Sequence, residues 1–453
     1  MGKISETNSV DQGVLFDLSP VKGKPVTLSF TGNDISSDGG LLLLRECEQR
    51  VGIIDAIGAC IKDDRHSSYI KHSYKELLTQ RVLQIAAGYE DADDCDSLRS
   101  DDILKICSGV LPSQGHLSSQ PTMSRFEQTP TRGDLYRIAE AFVNNFIKSY
   151  IEQPKVIVLD CDDTNSNTYG AQQLSLFNDY YGEYCYMPLH IYEGLSGKLV
   201  TTILKPGRRS KNLNVFAILS RLIERLHSHW PDTLIIVRGD SHFCSHQLMD
   251  WCKEREHVHF VTGITSNSTL QKLSEITVAT AQKQHKHAGR PVKLYHSFEY
   301  KAGSWANSQR VIVKVEVSDL GSNVRYIVTD LRQAHTRSLY EDVYCARGAM
   351  ELRIKEHKTY LRSNRMSCSK FSANQFRLFL HSAAYVLLHN LQTQTLHATQ
   401  YAKATFKTIR EKVIKVAAYV REIKTRIKIE LPASCPQISE LSRCLALFKA
   451  LRT

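Results

Sequence analysis

Lys155-Val156-Ile157-Val158-Leu159-Asp160 is a short apolar run, rich in β-branched residues, that ends on an acid. Thr233-Leu234-Ile235-Ile236-Val237-Arg238-Gly239-Asp240 repeats that pattern further along. Runs of this length, bounded by turn signals, read as buried strands. Between them, Tyr184–Tyr192 and Lys198–Leu204 read as two more strands, joined by a turn at Gly194–Gly197, and Leu213 to His229 reads as an amphipathic helix. A helix over residues 245–256 and a fifth strand, Val258-His259-Phe260-Val261, follow.

Three consecutive strands, a helix, a strand, a helix and a strand is the chain order of a ribonuclease-H-like α/β domain. The pattern then changes. Within 265–335, Arg310–Val317 and Val324–Thr329 alternate apolar and polar residues, as half-exposed antiparallel strands do, so this segment reads as a β-rich insertion. Tyr344–Lys358 lacks Pro and tolerates a helix apart from Gly348. At about 100° per residue, Tyr344, Arg347, Glu351 and Lys358 share an arc of roughly 60°. One carboxylate then has a phenol, a guanidinium and an ammonium on its own face. Such a face suits a metal ligand whose neighbours hold phosphates. Asn374 to Leu391 reads as a strongly apolar helix.

The expected organisation is a flexible lead-in (1–24), a helical N-terminal DNA-binding region (25–150), a first core part (151–264), the insertion (265–335), a helical completion bearing Glu351 (336–393) and a basic helical tail (394–453). The fold class is thus α/β, with flanking helical regions. In the acidic patch Glu90–Asp96, Asp96 stands where a calcium loop needs Gly, so helix caps and turns are the better reading.

Charge leans towards a polyanionic partner: net +11, with pI near 9.0. Residues 401–453 hold 12 Lys+Arg against 4 Glu, whereas residues 1–150 hold 16 Lys+Arg against 21 Asp+Glu. If the N-terminal part binds DNA, it must therefore do so through a local face. The twelve cysteines never form C-x-x-C, which disfavours zinc ribbons and redox motifs. No signal-peptide core, myristoylation pattern or long apolar span is present, so a reducing cytoplasm is expected.

Acids at the ends of neighbouring first and fourth strands can meet a Glu from a packed helix. Three converging carboxylates imply divalent cations, and oxygen-only ligands favour Mg²⁺, with Mn²⁺ as a substitute. Two such ions suit in-line phosphoryl transfer. The first acid is open among Asp160, Asp162 and Asp163; the second is Asp240 and the third Glu351.

The spacing Tyr344-x2-Arg347-x3-Glu351-x6-Lys358 resembles the third acidic block of bacterial insertion-sequence transposases of the DDE type. Their first acid sits in D-x-T or D-x-S, here Asp162-Asp163-Thr164, so the resemblance selects Asp162, with Asp160 next. Their second sits in D-S-x-F, here Asp240-Ser241-His242-Phe243. The likeness covers residues 155–390. Tyr169-Gly170-Ala171-Gln172-Gln173, Tyr180-Tyr181-Gly182 and Cys368–Arg377 resemble one subgroup, insertion-sequence family 1380.

The resemblance implies catalytic and metal-binding roles for Asp162, Asp240 and Glu351, with two ions per site. It also implies cut-and-paste chemistry through a hairpin, acting on the element's terminal inverted repeats and on target DNA. It further implies a homodimer in a synaptic complex, in a bacterial cytoplasm and beside the nucleoid. Tyr344, Arg347 and Lys358 would contact DNA. Trp305, in the matching insertion, would stack on a flipped base, while Arg325 and Arg310 would hold phosphates. The competing readings are a transposase-derived DNA-binding protein without catalysis and a two-metal nuclease without strand transfer.

Overall fold

The computed structural model describes residues 16–29, 33–208 and 215–450; residues 1–15 of the lead-in, and Leu213 at the start of the expected helix, lie outside them. The two apolar runs form the centre of an eight-stranded mixed sheet. Numbered in chain order, its strands are β1 (Val156–Asp163), β2 (Leu189–Glu193), β3 (Leu199–Ile203), β4 (Leu234–Gly239), β5 (Val258–Ile264), β6 (Val292–Tyr300), β7 (Gln309–Ser318) and β8 (Gly321–Thr329). They lie side by side in the order β6-β7-β8-β5-β4-β1-β2-β3. The β1–β4 and β4–β5 pairings are parallel and the rest antiparallel.

Both faces of the central strands are covered, which is why their sequence is continuously apolar. Ile157, Leu159, Cys161, Ile235 and Val237 face one core; Val158 and Ile236 face another. Helices α1 (Val215–His229) and α2 (His246–Lys253) close the first core with Leu219, Leu222, Ile223, Leu226, Leu248, Met249 and Cys252.

Five readings of the sequence need correction. The Tyr184–Tyr192 strand is broken at Met187–Pro188, because Pro188 cannot donate to a ladder. Its first half, Glu183–Tyr186, pairs with Ser166–Asn167 and Leu176–Asn178 in a separate small sheet.

The insertion is not wholly β. It opens with a 21-residue helix, α3 (Ser268–Ala288), capped by Asn267 and ended by Gly289 at φ 61°. Its inner stripe is Leu270, Ser274 and Ala281. β6, β7 and β8 then extend the main sheet past β5 instead of forming a domain of their own.

The Tyr344–Lys358 helix is a helical stretch from Leu339 to Tyr360 of uneven pitch. Its turns widen to five residues at Leu339–Tyr344 and Glu356–Tyr360 and tighten at Cys345–Arg347. The regular part is α4 (Gly348–Lys355). A uniform 100° step therefore does not place its four side chains.

The tail is not all helix, and the lead-in is not wholly flexible. Ala418–Ile423 and Arg426–Glu430 form a hairpin, as the alternation in Arg426-Ile427-Lys428-Ile429-Glu430 fits, and it pairs with Ile35–Ser36. Phe16–Val21 pairs with Lys24–Leu28.

Helix α5 (Phe371–Asn390), buried along most of its length, joins the parts. It carries Phe376 against Phe126 and Phe379 against Phe142, and it reaches the sheet through Ser382 Oγ, 2.9 Å from Thr202 Oγ1. Leu77, Leu78, Phe379, Leu387, Phe406, Ile409, Val413 and Phe448 share one core. The N-terminal helices and the tail thus fold around α5 as a unit. Gly39 and Gly40 donate to the carbonyls of Val416 and Ile414, and a Cβ at Gly40 would fall on the Val413 carbonyl. Gly40→Ala is accordingly expected to cost about 1–3 kcal/mol of stability, read as a lower urea midpoint.

Candidate active site

In the parallel β1–β4 pairing, Arg238 stands opposite Asp160 and Gly239 opposite Cys161. Asp162 and Asp240 each lie one residue beyond that last pair, at the same end of the two strands. Asp240 is the first residue beyond β4 and caps the turn Ser241–Phe243: the His242 N–H donates to Oδ1 at 2.8 Å, and His242 Nδ1 lies 3.1 Å from Oδ2. Gly239 is required just before it, since a Cβ there would lie 2.8 Å from the Phe243 ring.

Asp160, one turn of the pleat earlier, is used differently. It is buried in a two-pronged pair with Arg238, whose Nη2 donates to Oδ2 at 2.7 Å and whose Nε donates to Oδ1. The same guanidinium donates to the Val343 carbonyl, next to Tyr344.

Asp162, Asp163, Asp240 and Glu351 line one open cavity of about 740 Å³. Glu351 comes from the first turn of α4, which Met350 anchors in the core, and it is exposed. Arg347, just ahead of α4, pairs with Asp162 Oδ2 at 2.9 Å. Lys205 Nζ donates to Asp163 Oδ2 at 2.6 Å. Burial pushes Asp162 up to about 6; Arg347 opposes this, while repulsion from Asp240 and Asp163 adds to it. Burial also raises Asp163, against the pull of Lys205. Lys358 donates to Thr164 Oγ1 at 3.0 Å and Asn165 Oδ1 at 2.9 Å, just past β1, and burial lowers its pKa.

The donor set fits a hard divalent cation: the acids offer carboxylate oxygens alone. Asp163 Oδ1 is buried without a hydrogen-bond partner, and mutual repulsion of the acids is what a cation relieves. Among the described residues, however, no three His, Cys, Asp or Glu are close enough to hold one ion as they stand. The acids share a cavity, and Asp162 is turned onto Arg347.

The family model "Transposase DDE domain group 1" matches residues 18–453. The chain belongs to this family. It is a DDE-type DNA transposase, and such enzymes use divalent metal ions. A search of curated proteins gave no match. Among solved structures, a cryo-EM structure of the piggyBac transposase synaptic complex with hairpin DNA is similar at TM-score 0.42 and 11% identity, covering 84% of this chain and 80% of that one.

The remaining expected site residues of the transposase are placed unevenly. Tyr344 is half-buried against Tyr340, and its hydroxyl lies 2.9 Å from where a Gly263 Cβ would stand. Arg325 is exposed on β8, near enough to Tyr344 to act on its phenol.

Two residues expected at the DNA are engaged elsewhere. Trp305 is 8% exposed, packed edge-on against Tyr300 in the core, and does not line the cavity. Arg310 is spent on the carbonyls of Leu331, Arg332 and Ala334, holding a loop and not a phosphate. Lys205 escaped the reading of the sequence. Its signal was the basic turn Lys205-Pro206-Gly207-Arg208 directly after the third strand, at the same end of the sheet as the acids.

Proposed function

We propose that this transposase is a bacterial insertion-sequence enzyme of the family 1380 kind. It nicks DNA at its element's terminal inverted repeats and joins the freed 3′-hydroxyls to target DNA through a hairpin. The observation that carries this reading is one cavity lined by Asp162 from the end of β1, Asp240 from just past β4 and Glu351 from α4. The strand order β3-β2-β1-β4-β5 supports a ribonuclease-H-like core, and the spent carboxylate of Asp160 supports Asp162 as first acid.

Asp162, Asp240 and Glu351 would hold Mg²⁺, or Mn²⁺ in its place, two ions per site. Bound there, the ions supply the positive charge that in-line phosphoryl transfer demands. The chain's own residues do the positioning. The Arg347 guanidinium, already in the cavity, matches a phosphate in fork geometry. Lys358, Tyr344 and Arg325 would hold the backbone. Two ends must be joined, so the working form is a homodimer in a synaptic complex, acting in the cytoplasm at the nucleoid. No helix among the described residues is long and apolar enough to cross a membrane.

End recognition falls to the N-terminal helices. A cleft of about 470 Å³ there is lined by Arg65, Lys71, Arg99, His116 and Arg125, with no carboxylate on its wall. It is the local basic face that the region's negative balance requires. Arg99→Gln with Arg125→Gln is expected to weaken duplex binding and to flatten the slope of log K against log salt by about 2.

The test of the whole reading is nicking of a duplex carrying the element's repeats. Cutting is expected in Mg²⁺ and none in EDTA. Cutting that persists in EDTA sinks the metal reading. Binding without cutting across divalent ions points to a DNA-binding derivative, and cutting without joining of pre-cut ends points to a nuclease.

A further inference from the structure

The small sheet between β1 and β2 carries aromatic rings that the core does not use. Tyr169, Phe177, Tyr180 and Tyr184 are exposed, Tyr180 by 82%, and Tyr181 by 37%. So many uncovered rings on one short segment mark a contact surface. Two of them stand at the acids: Tyr180 and Tyr181 line the same cavity as Asp162, Asp240 and Glu351.

The turn that presents them is built to be rigid. Asn178 Oδ1 accepts from the backbone N–H of Tyr180 at 3.1 Å and of Tyr181 at 3.3 Å, while its Nδ2 donates to the Gly207 carbonyl at 2.6 Å. Gly182, at φ 67°, closes the turn by donating to the Asn178 carbonyl at 2.8 Å. The two rings sit edge to face, centroids 4.9 Å apart. Cations line the cavity that the turn enters and a second cleft. Lys205 and Arg208 lie in the acid cavity, and Lys358, Arg362 and Arg365 line a neighbouring cleft that Tyr169 also enters.

We propose that the Tyr180–Tyr181 turn is a stacking platform for an unpaired base next to the phosphodiester that is cut. The proposal rests on the DNA-cleaving reading above. A paired base hides its faces in the stack, so exposed rings among cations select unpaired nucleotides. A base that leaves the duplex at the cut site loses its stacking, and rings waiting there replace it. Trp305 is buried, whereas Tyr180 and Tyr181 are exposed aromatic rings that line the cavity.

The experiment compares two fluorescent probes in EDTA at low salt: a blunt duplex, and the same duplex with a four-nucleotide single-stranded tail. The full-length protein is expected to bind the tailed probe more tightly. Tyr180→Ala with Tyr181→Ala is expected to reduce that preference about tenfold, the order of one lost base–aromatic stack, with blunt-duplex binding unchanged. Tyr180→Phe with Tyr181→Phe keeps the rings and should keep the preference. Equal affinity of the wild-type protein for both probes overturns the proposal alone, as does a preference that survives the double alanine variant. Failure to bind either probe overturns the DNA reading and the proposal with it.

Discussion

Asp240→Ala is expected to slow nicking by at least about a thousandfold while leaving the fold and DNA binding intact. The size follows from the chemistry: cation charge at a phosphoryl-transfer site contributes several kcal/mol to the transition state, and each 1.36 kcal/mol is a factor of ten. Stability is expected to hold because Asp240 is partly open to solvent, and its polar partners are on its neighbour His242. Removing it also removes its repulsion of Asp162. Asp162→Ala and Glu351→Ala should behave alike, since Asp162 is paired to Arg347 at the cavity wall and Glu351 is exposed. Nicking rate, probe anisotropy and urea midpoint, taken together, separate lost chemistry from lost structure. Any of the three variants that nicks at more than a tenth of the wild-type rate takes its residue out of the catalytic set.

What the sequence made legible follows a physical divide. β1 and β4 were readable because strands covered on both faces must be apolar throughout, and their terminal acids break the run visibly. β2 was misjudged because Tyr184–Tyr192 is apolar across the break and Pro188 was passed over. Helix α3 was missed although Asn267 and Gly289 bracket it, because the alternating strands after it set the reading of the whole segment. The Arg347–Asp162 pair was out of reach: it depends on the uneven pitch between Leu339 and Tyr360, and helix periodicity assumes an even one. The burial of Trp305 was likewise invisible, since a Trp in a strand-rich insertion serves core and ligand equally well. The tail misled for a simpler reason. Its basic residues dominated the reading, while the alternation of Arg426–Glu430 and the apolar set Phe406, Ile409, Val413 and Phe448 bind it into the core around α5.

Asp160→Ala is expected to lower stability by about 3–5 kcal/mol, because it leaves the buried Arg238 guanidinium without its carboxylate. The damage should spread to the site. Arg238 also holds the Val343 carbonyl and so the start of the stretch that carries Tyr344, Arg347 and Glu351. Gly194 packs against both members of the pair, with a Cβ there falling 2.6 Å from Arg238 Nη2, so the pocket cannot close over a new void. Loss of nicking in Asp160→Ala alone would therefore be ambiguous between a structural acid and a catalytic one. The double variant Asp160→Leu with Arg238→Met separates them, since replacing both members of a buried pair by apolar residues restores stability that removing one destroys. If Asp160 is structural, the double variant regains most of its urea midpoint and part of its nicking. A double variant that is as stable as the wild type and inactive at every Mg²⁺ and Mn²⁺ concentration would make Asp160 the first acid and displace Asp162.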